Sequence, residues 1–197
     1  MGQSNVNLAA LIGSRICHDL ISPIGAINNG LELLGMSDAR DGPEIDLISE
    51  SVENASARIR FFRIAYGAAS EQPMGRAEVV SILSDTMKGS RLKVAYGPLD
   101  EKPRWAVRMA FLAIQCLETS MPYGGRVEVN CDNGVWTITG FSPKSNPDPA
   151  LWALLGGADP QNLAPAHVQY ALLPAVARDA SRSITHDIEP ERLRIHF

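Results

Sequence analysis

The feature that most constrains the fold is the stretch Ser14–Leu34, in which apolar residues recur every three or four positions. At about 100° per residue, these positions form one stripe along an amphipathic helix. The stripe consists of Ile12, Ile16, Leu20, Ile24, Ile27, Leu31 and Leu34. His18 lies about 160° from the centre of the stripe, on the face left to solvent. The pattern therefore predicts a long helix that carries an exposed histidine.

The residues that share the face of His18 are polar or small. They are Arg15, Ser22, Gly25 and Asn29, all within roughly 60° of the histidine in the helical projection. Because small side chains leave room above the helix, we expect the backbone of a partner to come close beyond His18.

A second amphipathic helix follows a segment rich in breakers, Gly35–Pro43. The first helix is predicted from about Asn7 to Leu34, and the second from Pro43 to just before Gly67, since proline is favoured at the first helical position. The stripe of the second helix is Ile45, Ile48, Val52, Ala55, Ile59, Phe62 and Tyr66. A short connection makes the two helices antiparallel neighbours.

Two helices cannot bury two stripes of this width against each other alone. A second copy of the chain would bury the remaining apolar surface by forming a dimeric four-helix bundle. The alternative is that the stripes pack on the C-terminal half of the same chain. We expect the dimer.

From Arg76 onwards, helical and strand-like patterns are interleaved. They predict a helix at Ala77–Met87, a strand at Leu92–Tyr96, a helix at Arg104–Met121, strands at Arg126–Cys131 and Val135–Phe141 joined by an Asp132–Gly134 turn, a short helix around Trp152, a helix at Val168–Ala177, and strands near Ser183–Ile188 and Leu193–Phe197. The fold class is therefore α+β: a helical-hairpin domain over residues 1–72 and a two-layer α/β sandwich over residues 73–197.

Composition excludes several classes of function. The 197 residues carry a net charge of −4, so there is no basic footprint for nucleic acid or for an anionic membrane. The three cysteines are odd in number and lack metal-ligand spacing, which fits a reducing compartment and predicts no metal site. The first residues show no signal-peptide pattern, so we expect a cytoplasmic protein.

The segment His18-Asp19-Leu20-Ile21-Ser22-Pro23 resembles the phosphoacceptor box of sensor histidine kinases. Together with the rest of the chain, it resembles the ChpT-type histidine phosphotransferases. That resemblance implies that His18 is the phosphoacceptor and that Asp19 and Ser22 assist it. It also implies a receiver domain that docks over the face of His18, with Arg15, Ser22, Gly25 and Asn29 as contacts.

The second domain resembles the ATP-binding domain of histidine kinases but departs from it at three places. The long helix carries Gln115 and Glu118 in place of the asparagine that holds Mg²⁺ in that family. Gly140–Lys144 stands where an acidic, glycine-containing box is expected, and Leu163–Tyr170 replaces a glycine-rich phosphate loop. Because side chains there obstruct the close approach of phosphate to backbone, we expect no ATP and no cofactor of its own, with Mg²⁺ supplied by the receiver.

The function implied is that of a histidine phosphotransferase in a His–Asp phosphorelay. Its partners by resemblance are a second copy of the chain, the receiver of a CckA-like hybrid kinase, and CtrA-like and CpdR-like response regulators. Two alternatives stay open: a non-catalytic dimeric scaffold for receivers, and an ATP-dependent kinase with degenerate motifs. A phosphatase role, with Asp19 and Ser22 orienting water, is compatible with the first interpretation.

Overall fold

Two long helices form the N-terminal part of the chain. The computed structural model describes residues 2–36, 42–67, 72–159 and 162–197. Helix α1 spans Gly2–Met36 and continues through Pro23, and helix α2 spans Pro43–Ala65 with its proline at the start, as predicted. Gly30 of α1 lies against Ile48 of α2, whereas Asp19 and Arg58 line one cleft near the other end, so the helices are antiparallel. The predicted turn lies mostly in residues 37–41, outside the described residues.

The C-terminal part contains four further helices and five strands among the described residues. They are α3 (Arg76–Thr86), β1 (Leu92–Tyr96), α4 (Arg104–Ser120), β2 (Gly125–Asp132), β3 (Val135–Phe141), α5 (Pro149–Leu155), α6 (Val168–Asp179), β4 (Thr185–Glu189) and β5 (Arg192–His196), with a 3₁₀ turn at Pro165–His167 before α6. Each predicted element is present, with bounds that differ by only a few residues. None of the described helices is long and apolar enough to cross a membrane.

The five strands form one mixed sheet in the order β1-β2-β3-β5-β4. Strands β1 and β2 run parallel, and the other pairs run antiparallel. The hairpin between β2 and β3 turns at Asn133 and Gly134, whose φ angles are 51° and 81°. Positive φ at both central residues is the geometry that an Asn-Gly pair favours in a two-residue hairpin, so the predicted turn is confirmed.

Helix α4 lies at the centre of the protein. Most of its residues are buried, because the sheet covers one side and α2 and α6 cover others. Phe61 of α2 stacks on Phe111 of α4 with ring centroids 4.7 Å apart. One hydrophobic cluster thus extends from the hairpin through α4 to the sheet. The predicted domain boundary at residues 72–73 follows residues 68–71, which lie outside the described residues.

The two stripes of the hairpin are only partly buried within the chain. Ile12, Ile16 and Leu20 pack against the central hydrophobic cluster, as the alternative of packing within one chain predicts. Beyond Pro23 the stripe is not covered by the C-terminal half, since Ile24 is 49% exposed and Leu31 is 52% exposed. The reason is geometric: the α/β part contacts only one end of a helix that is roughly 50 Å long.

Candidate functional site

His18 lies midway along α1 with its side chain 82% exposed, so the predicted exposure is confirmed. Ser22 and Asn29 are also exposed on this helix. A Cβ atom placed on Gly25 meets nothing within 4 Å, which leaves open space there. The structure therefore brings His18, Ser22, Gly25 and Asn29 together along one open face of the hairpin.

Asp19 contacts the ring of His18 directly. The Nδ1 atom of His18 lies 3.2 Å from Oδ1 of Asp19. Neighbouring residues of a helix point about 100° apart, yet these two side chains bend towards each other and make direct contact. A carboxylate only accepts hydrogen bonds, so this contact favours a proton on Nδ1, which in the neutral imidazole leaves the lone pair on Nε2.

Arg15 is oriented differently from the sequence expectation. Its Nε atom donates to Oδ2 of Asp19 at 2.7 Å, and the two side chains are only 16% and 12% exposed. Its Nη1 atom donates to the carbonyl oxygen of Ala166, in the 3₁₀ turn before α6. The guanidinium of Arg15 thus lies between the hairpin and the α/β part, and not on the open face with His18.

An open cleft of about 530 Å³ adjoins the Arg15–Asp19 ion pair. Arg58 of α2 and Gln115, Glu118 and Thr119 of α4 also line it. Glu118 keeps contact with solvent, yet desolvation by the cleft walls raises the pKa of its carboxyl, with Arg15 and Arg58 acting in the opposite direction. The cleft therefore holds charges of both signs.

Two polar residues of α4, Gln115 and Thr119, are bonded to other side chains, and Gln115 is one of the two residues that the sequence placed at the nucleotide site. The hydroxyl of Tyr66 donates to Oε1 of Gln115 at 3.0 Å, and burial raises the pKa of Tyr66 to about 12. One turn further along α4, Nε2 of Gln169 donates to Oγ1 of Thr119 at 2.9 Å. Two polar groups on this face of α4 therefore hydrogen-bond to residues at the end of α2 and on α6.

The end of α4 is closed by two buried aromatic side chains. The indole of Trp152 donates to Oγ of Ser120 at 2.9 Å, and the hydroxyl of Tyr170 donates to the carbonyl of Cys116 at 2.8 Å. Sequence reasoning missed these contacts, since they join residues more than 30 positions apart. The Arg15–Asp19 pair had a local signal, because its i, i+4 spacing is typical of helical ion pairs.

Within the described residues, no group of three or more His, Cys, Asp or Glu side chains is arranged to hold a metal ion. Both ring nitrogens of His196 have partners: Nδ1 lies 3.1 Å from Oγ1 of Thr137, and Nε2 lies 3.3 Å from Oδ2 of Asp187. Nε2 of His18, by contrast, has no partner in the part of the chain that the structure describes.

An exposed histidine on a long helical hairpin, joined to an α/β domain, is the arrangement expected of the phosphotransferases that the sequence resembles. Residues 76–192 match the family described as histidine phosphotransferase C-terminal domain. The chain is 33% identical over 192 residues to protein phosphotransferase ChpT of Brucella abortus (strain 2308), covering 92% of this chain and 90% of that protein. A solved structure of a bacterial phosphotransferase superposes with a TM-score of 0.81 at 30% identity, covering 97% of this chain and 95% of the other.

The chain belongs to the ChpT-type histidine phosphotransferase family. It is a phosphotransferase of two-component signalling that acts in a phosphorelay, as the sequence predicted.

Proposed function

We propose that His18 is the residue that carries the phosphoryl group. The observation that supports this most strongly is the pairing of an 82% exposed ring with a carboxylate 3.2 Å from Nδ1. The exposed ring is accessible to a second protein, while Asp19 holds the proton on Nδ1 and leaves Nε2 as the nucleophile.

In the proposed step, Nε2 of His18 attacks the phosphorus of an aspartyl phosphate on a receiver domain. The N–P bond forms as the bond between phosphorus and the acyl oxygen breaks, and the electron pair leaves with the receiver carboxylate. The phosphorylated ring is then cationic with its proton on Nδ1, and Oδ1 of Asp19 stabilises that charge. Beyond the nucleophile itself, this chain contributes positioning and charge stabilisation to the transfer. The receiver supplies the Mg²⁺ that neutralises the phosphoryl oxygens.

The receiver docks over the open face of α1. Ser22 lies one turn beyond His18, within reach of a phosphoryl oxygen, and Gly25 and Asn29 continue the surface. Arg15, which the sequence also assigned to receiver binding, has its guanidinium engaged with Asp19 and Ala166 instead. The proposed partners are the receiver of a CckA-like hybrid kinase and CtrA-like or CpdR-like response regulators, all met in the cytoplasm.

We also propose that two copies of the chain pair through the hairpin as a four-helix bundle. The support is a set of apolar side chains on α1 and α2 that the single chain leaves at least 39% exposed. They are Ile21, Ile24, Leu31, Leu33, Leu47, Val52 and Ile59. A monomer rarely leaves so many large apolar groups in water on two adjacent helices.

We also propose that the C-terminal part of the chain does not bind ATP. Gln115 and Thr119 accept hydrogen bonds from Tyr66 and Gln169, so these two polar groups of α4 are already paired within the protein. A nucleotide entering there breaks those bonds and receives no glycine-rich phosphate loop in return. The chain therefore obtains its phosphate from a receiver.

The test is to mix the protein with a phosphorylated receiver carrying a radioactive label and to map the acid-labile label. We expect label on His18 and onward transfer to a second receiver. His18→Gln removes the ring, keeps a helix-compatible polar side chain, and changes the free energy of unfolding by less than about 0.5 kcal/mol at this exposed site. Normal transfer through the glutamine variant rejects His18 and favours the scaffold alternative. Label acquired from ATP alone favours the kinase alternative.

A further inference from the structure

We infer that Arg15 is a positioning residue through which the α/β domain controls the proton on His18. The inference rests on the proposed role of His18. It gives the C-terminal domain a part in phosphotransfer that needs no nucleotide.

The contacts form a continuous chain from that domain to the reacting nitrogen. The carbonyl of Ala166 accepts from Nη1 of Arg15, and Nε of Arg15 donates to Oδ2 of Asp19. The other oxygen of Asp19, Oδ1, lies 3.2 Å from Nδ1 of His18. Each group uses a different atom for each neighbour, so all three contacts exist at once.

Arg15 suits this position because its guanidinium is a planar fork. Two nitrogens of that fork bind two acceptors in fixed directions, one on α1 and one 151 residues away in the 3₁₀ turn. With Oδ2 held by Arg15, the carboxylate cannot rotate freely, and Oδ1 stays directed at the imidazole. A hydrogen-bond partner on one ring nitrogen decides which tautomer the ring adopts.

The burial of the pair indicates positioning and not direct contact with a receiver. The side chains of Arg15 and Asp19 are 16% and 12% exposed, whereas His18 is 82% exposed. A docking protein can contact the exposed imidazole of His18, but it buries little further surface of the Arg15 guanidinium. Arg58 and Glu118 also face this pair across the cleft, and neither bridges to the 3₁₀ turn in the described structure.

The experiment compares the full-length Arg15→Met and Arg15→Lys variants with the native protein. At about pH 8.5, ¹⁵N NMR of labelled histidine reports which nitrogen of His18 carries the proton. We expect Nδ1–H in the native protein, a shift towards Nε2–H in Arg15→Met, and a partial shift in Arg15→Lys, which keeps the charge but not the fork. Label transfer from a receiver should slow roughly tenfold in Arg15→Met, with an unchanged half-saturating receiver concentration.

Arg60→Met is the matched control, since Arg60 makes an ion pair with Asp85 on the surface of α2 and α3. It should leave the tautomer and the rate at native values. An unchanged tautomer in both Arg15 variants overturns the inference, as does a raised half-saturating concentration without a tautomer change, which returns Arg15 to receiver binding. Failure of native His18 to take label rejects the proposed function instead, and the two failures are distinct because the tautomer is measured without a receiver.

Discussion

Phe61 and Phe111 stack face to face with their ring centroids 4.7 Å apart and their planes 20° from parallel. One ring belongs to the hairpin and the other to the central helix of the α/β part, and both are at most 2% exposed. The stack makes the hairpin and the α/β part share one core.

Phe61→Ala should therefore destabilise the whole chain and not the hairpin alone. Removing a buried phenyl ring costs about 3–5 kcal/mol through lost burial and the cavity that remains. Urea unfolding followed by far-ultraviolet circular dichroism, which reports on all helices, and by fluorescence of the three tryptophans, which lie in the α/β part, should give one coincident, shifted transition. Separate transitions for the two probes would mean that the halves unfold independently.

Leu31→Asp should dissociate the proposed dimer without unfolding the protomer. Leu31 is 52% exposed in the single chain, so aspartate is tolerated there, but within a paired bundle it becomes a desolvated charge that costs several kcal/mol. Light scattering should give a dimer for the native protein and a monomer for the variant. Leu99→Asp is the control, because Leu99 is 78% exposed and lies outside the hairpin. A native monomer would contradict the bundle.

Gly25→Trp should weaken receiver docking while leaving His18 intact. A Cβ atom at this position meets nothing within 4 Å, so we expect a larger side chain to extend into the space proposed for the receiver. The half-saturating receiver concentration should rise roughly tenfold, equivalent to about 1.4 kcal/mol of binding free energy, with a smaller effect on the maximal rate. Gly13→Trp is matched, since Gly13 is also unobstructed but lies on another face of α1. Equal effects of the two substitutions would place the receiver elsewhere.

Titration of the protein with ATP and Mg²⁺ by calorimetry should show binding no tighter than about millimolar. The reason is that Gln115 and Thr119 are bonded to Tyr66 and Gln169, and that the phosphate-cradling glycines are replaced by larger residues. A phosphorylated receiver serves as the positive control for the same sample. Micromolar affinity for ATP would restore the kinase alternative.

Tyr96→Phe should stabilise the protein, and increasingly so above pH 10. The hydroxyl of Tyr96 is buried without a hydrogen-bond partner among the described residues, so its removal should add about 1 kcal/mol to the free energy of unfolding. Burial also raises the pKa of Tyr96 from 10.0 to about 12. Between those values the unfolded chain loses a proton that the folded chain keeps, so native stability falls as pH rises, and phenylalanine removes this contribution.

Urea unfolding at neutral pH and at about pH 11 measures both effects of the Tyr96 substitution. Tyr170→Phe is the contrasting variant, since the hydroxyl of Tyr170 bonds to Cys116 and Ser120 and its loss should destabilise the protein. Destabilisation by Tyr96→Phe would show that its hydroxyl has a partner, such as bound water.

The sequence alone determined the secondary structure and the candidate histidine. Helical periodicity over many turns identified α1 and α2, Asn133-Gly134 identified the hairpin, and the His18–Pro23 box identified the face of interest. These features depend on contacts between residues a few positions apart, where the helical step or the turn geometry is almost invariant. The same local rule placed Ser22, Gly25 and Asn29 beside His18.

Only the tertiary structure decided which part of each stripe is buried and where Arg15 points. Ile12 and Leu31 belong to one helical stripe, yet Ile12 packs against the central cluster while Leu31 remains half exposed. Arg15 shares a projected face with His18, yet its guanidinium points away from that face and donates hydrogen bonds to Asp19 and to the carbonyl of Ala166. Periodicity places a Cα atom on a helix face, but the direction of a long side chain depends on acceptors that the fold brings from 151 residues away.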